Sequence, residues 1–199
     1  MKRVLMATIA MFGVGVWLLP STTPGQPRLV IEPLAERKVT NLPAGELFWR
    51  IESFATLAQA QAAAGPWGLA AESAGKEWLF TLGPAGGSSA GGTEVAEVGP
   101  IDRFAAREYL LRINAATGAP GSITSVHTHP GSEAFYVLSG EQNIRTPQGV
   151  VRIGSGQSQA GSGRDTPMQV SSGGSTELHA LVMFVVDAGK PFSSPAKLP

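Results

Sequence analysis

Two of the three histidines in this 199-residue chain stand one residue apart in "SITSVHTHPGSEAFYVLSGE", residues 122–141, and a glutamate follows four positions after the second. Along an extended strand, side chains two apart share a face, so His127 and His129 project to one side. Pro130 and Gly131 end that strand and turn the chain. The next strand opens with Glu133; if Glu133 points inward, so do Phe135 and Val137, and one carboxyl stands at the mouth of an apolar face. Two imidazoles and a carboxylate that converge on one point, with other positions open, form the set that holds non-haem iron. The same set accepts manganese, nickel or zinc. The alternative is a pair of solvated histidines beside an exposed turn.

The remaining histidine, His179, lies in "ELHALVMFVVD" in phase with Leu181 and Met183. A strand so continuously apolar is buried on both sides, so His179 either faces the cavity as a substitute ligand or acid/base group, or is a hydrogen-bonded histidine near the strand's start. Cysteine is absent, which excludes disulfides, thiolate metal sites and cysteine nucleophiles. "GSSAG" and "GSGQS" are glycine-serine loops rather than nucleophile elbows, and no phosphate loop ends in Gly-Lys-Ser or Gly-Lys-Thr. Glu141, Arg145, Asp165 and Asp187 read as solvated charges with a pocket role as the alternative.

The elements that must position these groups are short strands. Gly (25) and Pro (15) are abundant and aromatic residues are 7% of the chain, a composition of many turns joining short elements. "ELFWRIESF", "KEWLFTLG", "REYLLRI", "SITSVHTH", "EAFYVLSG", "QNIRT", "GVVRI" and "ELHALVMFVVD" read as strands. "ATLAQAQAAAG" is the one convincing helix, stopped at Gly65-Pro66. "GPAGGSSAGGTE" reads as a flexible surface loop. The expected class is all-β, a sandwich or small barrel, without an internal repeat. Lys+Arg and Asp+Glu balance at 15 each, so no basic field attracts nucleic acid.

The first residues carry an address. Lys2 and Arg3 precede an uncharged apolar run from Val4 to Leu19, and Pro20 and a small, polar, proline-rich stretch follow. The run is shorter than the roughly 20 residues that span a bilayer and contains Gly13 and Gly15. A cleaved export signal over residues 1–25 is expected, with a cut before Gln26, and an uncleaved anchor is the alternative. Residues 26–45 read as a proline-rich linker or an arm laid on the domain. The domain itself spans 46–199, with an N-terminal extension at 46–100 and a core at 101–190.

The histidine stretch also resembles a family. Gly121, five residues, His127, one residue, His129, three residues, Glu133, six residues and Gly140 match the first conserved motif of the cupins without an insertion. The resemblance covers about residues 100 to 190. It implies a small cupin-type β-barrel, a double-stranded β-helix or jelly roll. It also implies His127, His129 and Glu133 as metal ligands, and Gly121 and Gly140 as turn glycines. The second motif is where the chain departs. Gly156 can open it and Thr166-Pro167 can stand just before the ligand position, but Met168 occupies the place of the fourth ligand, a histidine. Met168 is then a soft thioether ligand favouring copper, a packing residue that leaves three protein ligands, or the mark of a lost site.

Together these readings give an exported protein, periplasmic or extracellular, that binds one divalent metal (Fe, Mn, Ni, Zn or Cu) and a small polar organic molecule. A metal-dependent oxygenase is the leading function, with isomerase or lyase as further options. A non-catalytic ligand- or metal-binding module of the cell envelope is the alternative. No nucleic acid and no membrane beyond the N-terminal signal are expected as partners, and a homodimer is open beside a monomer.

Overall fold

The computed structural model describes residue 25 and residues 27–199; the segment read as an export signal lies outside the described residues. The order is β1 (Val30–Val39), β2 (Leu47–Phe54), α1 (Leu57–Ala63), β3 (Gly68–Ser73), β4 (Lys76–Gly83), β5 (Thr93–Ile101), β6 (Tyr109–Gly118) and β7 (His127–Thr128). It continues with β8 (Gly131–Ser139), β9 (Glu141–Thr146), β10 (Gly149–Gly154), β11 (Ser158–Ala160), β12 (Gln169–Ser172), β13 (Leu178–Asp187) and β14 (Ser194–Pro195). Among the described residues the class is all-β with one short helix, as the sequence predicts.

The strands form a five-stranded sheet β1-β6-β13-β8-β11, a three-stranded sheet β10-β9-β12, a pair β14-β7 and a four-stranded sheet β3-β4-β2-β5. The five-stranded sheet is the middle layer. Leu181, Met183 and Val185 of β13, with Leu111 and Ile113 of β6, pack against Trp49, Ile51, Trp78 and Phe80 of the four-stranded sheet. The alternate residues Ala180, Val182 and Phe184 of β13, with Phe135 and Val137 of β8, pack against Ile144, Ile153 and Val170 of the three-stranded sheet. This is why β13 is apolar from Ala180 to Val186: burial on both faces removes the period-2 alternation of a half-solvated strand. The second of these interiors is the jelly-roll core that holds the site. Its walls are separate sheets that face one another rather than one closed ring of paired strands.

The segment read as linker or arm is an edge strand. β1 pairs antiparallel with β6 from Val30 opposite Thr117 to Val39 opposite Tyr109, with an irregularity between Pro33 and Ala35. Its charges hide this from the sequence, since an edge strand facing solvent carries Glu, Arg and Lys as protection against further pairing. The helix begins as its sequence suggests: the Thr56 hydroxyl accepts the Gln59 N–H at 3.2 Å.

The glycine-serine loop, read as flexible, is anchored at its centre. The buried Glu52 carboxylate accepts the Ser89 N–H and Ser89 hydroxyl, each at 2.7 Å, and pairs with Arg50 Nε at 3.1 Å. Burial alone would raise the Glu52 pKa, but the two Ser89 hydrogen bonds and Arg50 outweigh it and hold the carboxyl below its usual value. Among the described residues no helix is long and apolar enough to cross a membrane.

Candidate functional site

The site lies in the jelly-roll interior, where the end of the 119–130 connection crosses the face of β6, β8 and β13. The sequence predicts one extended strand from Ser122 to His129, but only His127 and Thr128 are strand. The rest is stitched to the neighbouring chain by single bonds: Thr124 N–H to Val170 O (2.9 Å), Ser172 N–H to Ser122 O (2.9 Å), and a reciprocal pair between His127 and Met168, 2.9 Å each way. Gly121 turns with φ +81° and Gly140 with φ +77°, conformations that an L side chain adopts rarely. A Cβ at Gly140 would also stand 2.6 Å from Glu177 O.

His127, His129 and Glu133 line one cavity of about 300 Å³, with Asn114, Thr124, Ser125 and Ser193 as further polar walls. Ile31, Ala116, Phe135, Val170, Val182, Phe184 and Phe192 supply the apolar remainder. The histidine rings meet edge to face, centroids 4.9 Å apart at 86°. Each turns Nδ1 to a backbone carbonyl, His127 to Ser125 O at 2.8 Å and His129 to Phe192 O at 2.7 Å. A carbonyl only accepts, so in both neutral rings Nδ1 carries the proton and Nε2 keeps its lone pair.

Glu133 is 4% exposed, and neither an ion pair nor a hydrogen bond from a side chain reaches its carboxyl among the described residues. Burial without compensation pushes its pKa up to about 8. His129 moves the other way, down to about 4, first through burial and then through the charges of His127 and Arg112, against the raising effect of the Phe192 carbonyl. At neutral pH the cavity therefore presents a neutral His129 and a protonated Glu133.

The chemistry of this donor set fits a divalent cation: imidazole Nε2 atoms already free of protons, and a carboxyl that no protein cation claims. The approach of the groups is less complete. Among the described residues no three His, Cys, Asp or Glu side chains are drawn together as a bound metal requires. The side chains share a cavity without forming a closed cluster.

Two sequence candidates stand elsewhere. His179 is on the opposite face of β13, in phase with Leu181 as read, but that face meets the four-stranded sheet. Its Nε2 lies 3.3 Å from Ser73 Oγ, so it is a hydrogen-bonded interface histidine and not a cavity group. Met168 pairs with His127 across the strands and is 1% exposed within the interior apolar cluster. It does not belong to the cavity lining, and packing is the role the structure gives it. Glu141, Arg145, Asp165 and Asp187 do not line the cavity either; Asp165 and Asp187 pair with Arg164 at 3.3 and 3.6 Å. Apolar side chains thus stand beside the polar groups that the sequence reads for a small polar molecule. Reading motifs misses Asn114, Phe184 and Phe192. Phe184 was legible as the inward phase of β13, but "KPFSSP" has no period that would announce Phe192.

No protein-family model matches this chain, and no curated protein matches it. Solved structures do. A cupin superfamily protein from Desulfitobacterium hafniense is 16% identical over 39% of this chain and 68% of its own, with a TM-score of 0.35. A cupin-like protein from Thermotoga maritima is 13% identical over 44% of this chain and 65% of its own, TM-score 0.39. The DMSP lyase DddQ from Ruegeria pomeroyi is 20% identical over 43% of each chain, TM-score 0.38. This chain therefore spans between 43% and 68% of the length of those structures. Overlap of this extent carries neither substrate nor activity across.

Proposed function

We propose that the interior cavity binds a small, largely apolar organic molecule together with one divalent metal ion held by Nε2 of His127, Nε2 of His129 and the Glu133 carboxylate. The observation that carries this reading is the pairing of two proton-free Nε2 atoms with a buried carboxyl that has no partner among the described residues, all on one cavity. Leaving a carboxyl buried and uncompensated is costly to the fold, and a cation at that place removes the cost. When bound, the metal supplies Lewis acidity to an oxygen atom of the ligand. The protein supplies the rest: Phe135, Phe184 and Phe192 exclude water, the two backbone carbonyls hold the imidazole planes, and Glu133 gives up its proton on loading.

Three protein donors leave positions for ligand atoms, which is what a metal-dependent oxygenase needs and what an isomerase or lyase uses without dioxygen. A non-catalytic binding module of the cell envelope is the second reading. It is favoured by the absence of a closed donor cluster among the described residues and by Met168 in the bridge opposite His127. Export by the segment from Lys2 to Leu19 belongs to both readings.

The test is calorimetric titration of chelator-stripped protein with Mn²⁺, Fe²⁺, Ni²⁺, Zn²⁺ and Cu²⁺. One ion per chain should bind, and His127→Ala and His129→Ala should each abolish stoichiometric binding while circular dichroism keeps its β signature. Wild-type affinity in His127→Ala would place the metal elsewhere.

A further inference from the structure

The chain after β13 returns across the site instead of leaving the molecule. β14 pairs antiparallel with β7, Ser194 opposite Thr128 and Pro195 opposite His127, and Ala196 N–H donates to Val126 O at 3.1 Å. Between β13 and β14 stands Phe192, which meets the site with two groups. Its carbonyl accepts the His129 Nδ1–H at 2.7 Å. Its ring packs on His129 (centroids 4.8 Å) and Phe184 (4.9 Å), and the Arg112 guanidinium lies 4.5 Å from its centre. Arg112 is itself fixed, by Asn114 Oδ1 at 3.0 Å and by Glu36 at 3.6 Å.

The two histidines therefore depend on different parts of the chain. His127 takes its partner from Ser125, two residues away, and the local backbone carries its orientation. His129 takes its partner from a residue 63 positions later. Without that carbonyl no other group among the described residues holds the proton on Nδ1, and a free imidazole favours the opposite tautomer, with the proton on Nε2. That tautomer offers no lone pair at the atom facing the cavity.

We propose that Phe192 is a positioning residue of this site: the strap formed by residues 191–196 sets the tautomer and ring plane of His129 through the Phe192 carbonyl, while the Phe192 ring forms the cavity wall. The inference rests on the reading above that His129 Nε2 is the working atom. It assigns a role in the site to a segment with no motif, and it makes Arg112 the anchor that keeps the strap seated through its stack on the Phe192 ring.

The experiment is a long-range ¹H–¹⁵N correlation spectrum of ¹⁵N-histidine-labelled, metal-free protein near neutral pH. In the wild type both His127 and His129 should show the Nδ1–H tautomer. Replacing residues 191–196 by glycine and serine should move His129 toward Nε2–H and leave His127 unchanged as an internal control. Phe192→Ala keeps the carbonyl and should keep the His129 tautomer while enlarging the cavity.

An Nε2–H His129 in the wild type, or an Nδ1–H His129 in the folded strap-replaced chain, overturns the proposal. Should the replaced chain fail to fold, Ala196→Pro, which removes the N–H to Val126 O and restricts the backbone at the strap's end, must produce a second His129 population, and an unaltered spectrum overturns the proposal equally. Metal titration of the same samples separates this inference from the one it rests on. Loss of the strap should weaken binding by about ten- to a hundredfold, the usual effect of removing a partner of a ligating histidine. A wild type that shifts tautomer on strap replacement but binds no metal would sink the metal reading and leave the positioning intact.

Discussion

Glu133→Gln isolates the most perturbed group in the molecule. The folded carboxyl titrates at about 8 against 4.5 ordinarily, so between those values the folded state holds a proton that the unfolded state has released. A raised pKa contributes stability that is complete below the unfolded value and is lost as pH climbs through the folded one. His129 acts in the opposite sense: its pKa falls from 6.5 to about 4, so it contributes stability that is present above the unfolded value and is lost as pH falls through the folded one. The two effects oppose each other in mildly acid solution, and of the two only that of Glu133 acts from about pH 6.5 to about 8.

At about 1.4 kcal/mol per unit, the wild type should lose about 2 kcal/mol of unfolding free energy across that window, and Glu133→Gln should lose none of it. Urea denaturation in the presence of a chelator, near pH 6.5 and near pH 8, measures both slopes, and comparing slopes cancels the difference in packing between acid and amide. Parallel profiles for the two proteins would refute the reasoning, because they would mean that the carboxyl is hydrated or paired in the folded state.

Metal binding should carry the same signature. Ionising Glu133 is the proton cost of loading, so affinity should fall about tenfold per pH unit below about 8 and about one proton should be released per ion near pH 7, measured in buffers of different ionisation enthalpy. His129 adds nothing to this window, since it does not compete for protons until about 4. Met168→Leu should leave metal affinity unchanged and cost less than about 1.5 kcal/mol in denaturation, whereas a loss confined to copper would reveal a sulfur ligand. Met168→His puts an imidazole at a position outside the cavity lining and should leave zinc and nickel affinity unchanged in direct titration; a rise of about tenfold or more would mean that this side chain is aimed at the site after all. His179→Ala should lose about 1 kcal/mol with its Ser73 contact and should not alter metal binding, while any drop in affinity would contradict its place on the far face of β13.

The histidine stretch was readable because its spacing alone places His127, His129 and Glu133 around one interior. β4 and β13 were readable because their apolar runs are bounded by turn residues. Other elements were hidden for identifiable reasons. β3, "GLAAES", is built from residues with little strand preference and exists through its pairing with β4. The alternation of β5 is interrupted by Gly99-Pro100. β7 is two residues long where eight look extended, because Ser122 and Thr124 are held to Ser172 and Val170 of β12 by single bonds and Val126 to Ala196, not by a continuous ladder. What no local pattern could disclose is pairing over distance: Ser89 seated on Glu52, His179 on Ser73, and Phe192 on His129, each of them a bond between segments with independent sequence signals.

The measurement that tests the central claim most directly is anomalous scattering from a crystal grown with manganese or zinc near pH 8, where Glu133 can ionise. The account predicts one ordered metal peak between His127 Nε2, His129 Nε2 and the Glu133 carboxylate, with His129 Nδ1 still on the Phe192 carbonyl. A cavity without a peak in a crystal whose solution binds metal stoichiometrically, or a peak on other side chains, would contradict it.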